Sequence, residues 1–210
     1  MLAPAKGDLM RIIVVGATGT IGRAVVAALS ARHEILGVSR SSRPVAVDLS
    51  RPESIRAMYE AAGAVDAVVS AAGAARFAPL AQLGDEDFAF SLANKLMGQV
   101  NLVRLGLGRV RDGGSFVLTS GVLARTPMQG SAAISLVNAG LEGFARAAAL
   151  EAGRGLRVNV VSPPWVTDTL LALGMDPAHG LTPAAVAAAY VQAVEGTATG
   201  TVIEPLAPAS

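Results

Sequence analysis

The sequence predicts an α/β fold, one domain on a doubly wound parallel sheet of about seven strands flanked by helices. Three observations predict it. Apolar runs of strand length alternate with helical stretches along the chain. The runs are continuously apolar rather than alternating, as in strands buried on both faces. A glycine-rich turn, Gly16-Ala17-Thr18-Gly19-Thr20-Ile21-Gly22, joins the first run to the first helix.

Taken in order, strands are expected at 11–15, where Ile12 to Val15 are all apolar, and at 34–39, 45–48, 67–70, 115–120, 157–162 and 201–204. Helices fall between them. The Ala/Val-rich stretch 22–31 follows the glycine turn, and others lie near 51–62, 85–105, 131–152 and 183–195, the last opening at Thr182-Pro183. Helices 85–105 and 131–152 are long and carry small residues on several faces. Their outer faces are candidates for a homodimer or homotetramer interface, since an apolar face must be buried somewhere. Residues 1–9 read as an extension and 10–210 as the domain.

Composition excludes several classes. The 210 residues suit a single domain with a real core. Without cysteine there is no disulfide, thiolate metal site or Cys nucleophile. The two histidines, His33 and His179, are far apart, so no metal site is expected. A net charge of +1 without basic runs argues against nucleic acid. No apolar stretch is long enough for a membrane, and no signal-peptide core is present, so a cytoplasmic protein is expected.

The glycine turn is built for a phosphate. Glycine permits the tight path and close backbone approach to a pyrophosphate, and the helix behind it presents unpaired N–H groups. About 20 residues on, an acid would select NAD. The chain instead reads Ser39-Arg40, a hydroxyl and a guanidinium that match a 2′-phosphate, so NADP(H) is favoured over NAD(H). Asp48 and Leu49 are placed to edge the adenine. Ala71, Ala72 and Gly73 let the backbone approach the adenosine ribose.

Over residues 10–206 the chain resembles the short-chain dehydrogenase/reductases, a Rossmann-fold family. Gly16 to Gly22 matches the family's TGxxxGxG turn, and Ser70-Ala71-Ala72-Gly73 matches NNAG. Ser115 to Gly121 matches the strand holding the catalytic serine, and Arg157 to Pro164 matches RVNxxxPG, with Pro164 in place of glycine. The resemblance implies cofactor contacts from Gly16, Thr18, Gly19, Thr20, Ile21 and Gly22. It implies further contacts from Lys95, Thr119, Pro163, Val166 and Thr167.

The family's chemistry uses Ser, Tyr, Lys and Asn, and here the chain departs from it. Gap-free alignment puts Asn138 at the lysine, Ile134 at the tyrosine, Gly121 at the serine and Lys95 at the asparagine. The chain resembles a branch with this Thr-Ser-Gly strand, a lysine in this helix and no tyrosine. Hydride transfer to a carbonyl needs a proton source and stabilisation of the developing alkoxide. Lys95 is the candidate for both, with Ser120 and Asn138 as the other candidate catalytic residues. The expected activity is NADP(H)-dependent reduction of a small carbonyl or activated double bond. An inert NADP-binding module and a non-redox biosynthetic step are the alternatives. Only about a dozen residues separate Thr169 from the last helix, so the pocket is expected to be open or completed by a neighbouring subunit, with Trp165 a candidate wall.

Overall fold

The computed structural model describes residues 9–206. Six strands form one parallel sheet: β1 (Arg11–Val15), β2 (Glu34–Val38), β3 (Val65–Ser70), β4 (Val110–Thr119), β5 (Arg157–Val161) and β6 (Val202–Ile203). Their spatial order is β2-β1-β3-β4-β5-β6. Along each strand, successive side chains go to opposite faces. Ile13, Val15, Val68, Phe116 and Leu118 therefore share a core under α2 (Pro52–Ala62), α4 (Gly98–Gly106) and α5 (Ala132–Glu151). Ile12, Val14, Val69 and Val117 pack in the other layer with α1 (Thr20–Ser30) and α7 (Pro183–Glu195). Each such fully buried aliphatic side chain contributes about 1.5–3 kcal/mol.

The chain order reverses at β1. It pairs with β2 on one side and β3 on the other, so the connections leaving the carboxyl ends of β1 and β3 diverge and open a crevice.

The sheet has six strands rather than about seven. The expected strand at 45–48 contributes one isolated bridge, Ser39 to Ala46. Its amides serve other partners: Val47 donates to the Ser39 carbonyl, and Asp48 donates to Ser54 Oγ at the start of α2. The strand expected at 115–120 begins earlier, at Val110. Gly113 and Gly114 lie in this earlier part, and a Cβ at Gly114 would overlap the Asp66 carbonyl, so glycine is what lets β4 run beside β3.

The helix expected over 85–105 is three pieces. α3 (Asp85–Ser91) starts with three acids against its positive end and an amide of Gly84 bonded to Asp87. A π-helical turn, Leu92–Met97, follows and α4 completes the run. Such turns interrupt an otherwise helical pattern without a sequence signal of their own. A short helix, α6 (Thr167–Ala172), fills part of the connection after β5, and the Val166–Leu181 bridge closes the loop around it.

Apart from Leu9, the expected extension at 1–9 lies outside the described residues. No helix among the described residues is long and apolar enough to cross a membrane. No group of His, Asp or Glu among them is arranged to hold a metal ion.

Candidate active site and cofactor crevice

The glycine turn is held by close packing. Gly16 has φ +85, and a Cβ there would sit 2.7 Å from the Ala71 carbonyl. A Cβ at Gly22 would overlap the Gly16 carbonyl, so α1 meets the turn only because Gly22 has no side chain. The amides of Gly16 and Ala17 both donate to the Val38 carbonyl, which ties the turn to the end of β2. No side chain caps α1, which leaves its first-turn amides without a protein partner.

A cavity of about 490 Å³ opens in front of this turn. Gly16, Thr18 and Gly19 form its floor, Ser39 and Arg40 one end, and Asp48, Leu49 and Ala71 to Gly73 the facing wall. Ser39 Oγ meets Ser42 Oγ at 2.9 Å and Ser41 Oγ at 3.4 Å, so three hydroxyls cluster beside Arg40. Arg40 is exposed and has no carboxylate within ion-pair distance among the described residues. Asp48 Oδ1 accepts from the amide and hydroxyl of Ser50, which hold its carboxyl below the usual range, with a smaller push from the Arg40 charge.

A second cavity, of about 200 Å³, adjoins the carboxyl ends of β4 and β5. Ile21, Lys95, Thr119, Ser120, Asn138 and Ile134 line it, opposite Pro163, Trp165 and Val166. Lys95 reaches it from the π-helical turn, its stem against Gly73, where a Cβ would come within 3.0 Å of Lys95 Cγ. Lys95 Nζ donates to the Ser120 carbonyl at 3.2 Å. Burial lowers its pKa to about 8. The chain has two lysines, Lys6 and Lys95, so Lys95 is the lysine of the described residues.

Asn138 is buried in α5. Its Nδ2 approaches the Gly121 carbonyl at 3.5 Å, and its Oδ1 has no partner. A buried acceptor without a donor is uncommon. Ile134, one helical turn earlier, lines the same cavity with a branched alkyl group. The two tyrosines lie deeper. Tyr59 Oη donates to the Leu102 carbonyl at 2.6 Å, and Tyr190 Oη meets Thr119 Oγ1 at 2.6 Å. Burial pushes both phenols far above their ordinary range. Thr119 Oγ1 also bonds the Ser70 carbonyl, so its hydroxyl is committed inside the protein.

Three expected residues line neither cavity. Gly22 packs against the turn rather than lining a cavity, and Thr20 begins α1 outside both linings. Thr167 bonds the Leu181 carbonyl through its amide and Asp168 through its hydroxyl, and it lines neither cavity. Two buried residues at the site have no signal in the motifs. Glu142 accepts from Ser120 Oγ at 3.0 Å, and Gln99 bonds the backbone of Thr119.

The family model described as enoyl-(acyl carrier protein) reductase matches residues 14–201. The chain belongs to the short-chain dehydrogenase/reductase family. Among curated relatives, 2,3-dihydro-2,3-dihydroxybenzoate dehydrogenase of Escherichia coli is 38% identical over 108 residues, 50% of this chain and 43% of that protein. The chain spans about half the length of the curated relatives it matches. Two solved structures cover nearly all of it. The protein lin1944 from Listeria innocua superposes with TM-score 0.88 at 38% identity, covering 93% of this chain and 98% of that one. A small-chain dehydrogenase in complex with NADPH superposes with TM-score 0.83 at 26% identity, covering 94% and 96%.

Proposed function

We propose that this short-chain dehydrogenase/reductase is an NADP(H)-dependent oxidoreductase that reduces a small carbonyl or activated double bond, with Lys95 in place of the tyrosine. The observation that carries this reading is the Lys95 amine, lowered to about pKa 8, in the same cavity as the unpartnered Asn138 Oδ1.

The residues present fit the cofactor. A Cβ at Gly16 or Gly22 would strike the backbone that shapes the glycine turn, and Asn138 Oδ1 can accept from a donor such as a ribose hydroxyl. Gly16, Thr18 and Gly19 would hold the pyrophosphate, Ser39 and Arg40 the 2′-phosphate, and Asp48 and Leu49 the adenine edge. The relative solved with NADPH supports this choice. When bound, the nicotinamide supplies the hydride.

The chain's own residues do the rest. Lys95 Nζ, charged below about pH 8, stabilises negative charge developing on the substrate oxygen and gives that oxygen a proton. Ser120 holds Lys95 through its carbonyl and is itself held by Glu142 through its hydroxyl. Ile134, Val166 and Trp165 give this cavity a largely apolar wall that suits the non-reacting part of a small substrate. An activated C=C asks less of the oxyanion partner than a ketone does, so it suits a site without a phenol.

We also place a homo-oligomer contact on α4 and α5. The support is a cavity of about 310 Å³ between them, lined by Val103, Leu107 and Phe144, with the exposed Leu136 and Leu150 on α5. The protein is proposed to be cytoplasmic.

A screen of small aldehydes, ketones and enones, following NADPH absorbance beside Lys95→Ala, tests the function. Turnover is expected on at least one class, with at least a hundredfold loss in Lys95→Ala. Equal turnover by both proteins would remove Lys95 from the mechanism. Tight NADPH binding with no turnover across the panel would overturn the enzyme reading.

A further inference from the structure

Gln99 is fully buried in α4, one turn beyond Lys95, and every polar atom of its side chain is used. Its Oε1 accepts from the Thr119 amide at 2.8 Å. Its Nε2 donates to the Thr119 carbonyl at 2.9 Å and to the Lys95 carbonyl at 3.2 Å. The pairing of β3 with β4 ends at Val69 and Val117, so no strand lies opposite Thr119 on that side. The Gln99 amide takes the place of a missing strand there. Ser120, the next residue, receives Lys95 Nζ. One strand end thus holds Lys95 twice, at its head through Ser120 and at its backbone through Gln99.

We propose that Gln99 is the positioning residue for Lys95, holding the π-helical turn on the end of β4 so that the Lys95 amine faces the substrate cavity. A planar amide of this length supplies an acceptor for the Thr119 amide and donors for two carbonyls at once. A leucine would fill the space but leave Thr119 unpaired, and a carboxylate would face two carbonyl oxygens. The assignment rests on reading Lys95 as the working cation, but its test does not.

Because the chain has two lysines, Lys6→Arg leaves Lys95 alone, and ε-15N-lysine NMR then reports its titration without any substrate. In Gln99→Met the turn loosens and water reaches the amine. The Lys95 midpoint is expected to rise from about 8 by about one unit or more toward an ordinary lysine. Tyr59→Phe is the control. It removes a buried hydrogen bond to the same helix, at Leu102, and should leave the Lys95 midpoint in place. Glu142 and Tyr190, the titratable groups tied to this strand end from α5 and α7, are unchanged in both variants. A folded Gln99→Met whose Lys95 titrates like the parent would overturn the proposal. If Gln99→Met does not fold, the unaltered protein decides. Its Gln99 side-chain amide hydrogens should exchange far more slowly than those of exposed Gln129, and equal rates overturn the assignment. Full activity in Lys95→Ala would end the mechanism proposed for Lys95 while leaving this result standing.

Discussion

Lys95 Nζ donates to the Ser120 carbonyl at 3.2 Å, and burial brings the amine to about pKa 8. The charged form exists below that value. If the ammonium serves the reaction, kcat/KM should be level below pH 8 and fall about tenfold per unit above it. Lys95→Arg keeps its charge at every accessible pH, so any activity it retains should lack this alkaline limb. Rates of NADPH oxidation between pH 6 and 10 check both.

The same burial predicts a stability effect. The folded pKa lies below the unfolded value near 10.5, so the unfolded chain binds more protons between pH 8 and 10.5. The lysine therefore costs stability at neutral pH, on the order of 3 kcal/mol before any allowance for solvent at the head, and the cost fades above pH 8. Lys95→Met should be the more stable protein at pH 7, with the gap closing toward pH 10.5. Urea unfolding of both proteins across that range measures it; a gap that widens with pH would contradict the assignment.

Gly22→Ala should disrupt the cradle, because the new methyl overlaps the Gly16 carbonyl in the backbone itself. Overpacking against backbone costs about 1–3 kcal/mol or more, and the turn must shift to relieve it. The expected result is a lower Tm together with at least a tenfold loss of NADPH affinity by titration calorimetry. Gly108→Ala, where a Cβ meets nothing within 4 Å, should change neither.

Arg40 stands exposed at the cavity edge beside three serine hydroxyls. Arg40→Asp should weaken NADPH at least about tenfold, the scale of one charged hydrogen bond, and shift the preference to NADH. Unchanged preference would place recognition of the 2′-phosphate at other residues.

Glu142 is buried and its carboxylate accepts from Ser120 Oγ. Ser120→Ala should therefore destabilise the fold by about 2–4 kcal/mol, because it strands a buried acid. Ser120→Ala combined with Glu142→Leu should cost less than the single change. Chemical denaturation of the parent, Ser120→Ala, Glu142→Leu and the double variant closes the cycle.

Much of the scaffold was legible in local patterns. Uninterrupted runs such as Ile12 to Val15 mark strands buried on both faces, and the Gly16–Gly22 turn marks the crevice at the end of β1. Four of the five helical stretches were legible as single helices too, with Pro183–Glu195 matched at both ends. The misses share a cause. Residues 45–48 have strand composition, but whether they pair depends on which partners their amides find, and those are Ser39 and Ser54. The 85–105 run has helical composition throughout, and nothing local signals the π turn that presents Lys95.

The sequence by itself determined the alternation of strands and helices and the glycine cradle. These are properties of neighbours along the chain, set by periodicity, by missing Cβ atoms and by motif position. Only the tertiary structure decided what surrounds Lys95. Gln99 meets Thr119 and Glu142 meets Ser120 across about twenty residues of chain, because the sheet ends β4 beside α4 and α5. A hydrogen bond at that separation is fixed by the packing of elements, which leaves no pattern in the residues between.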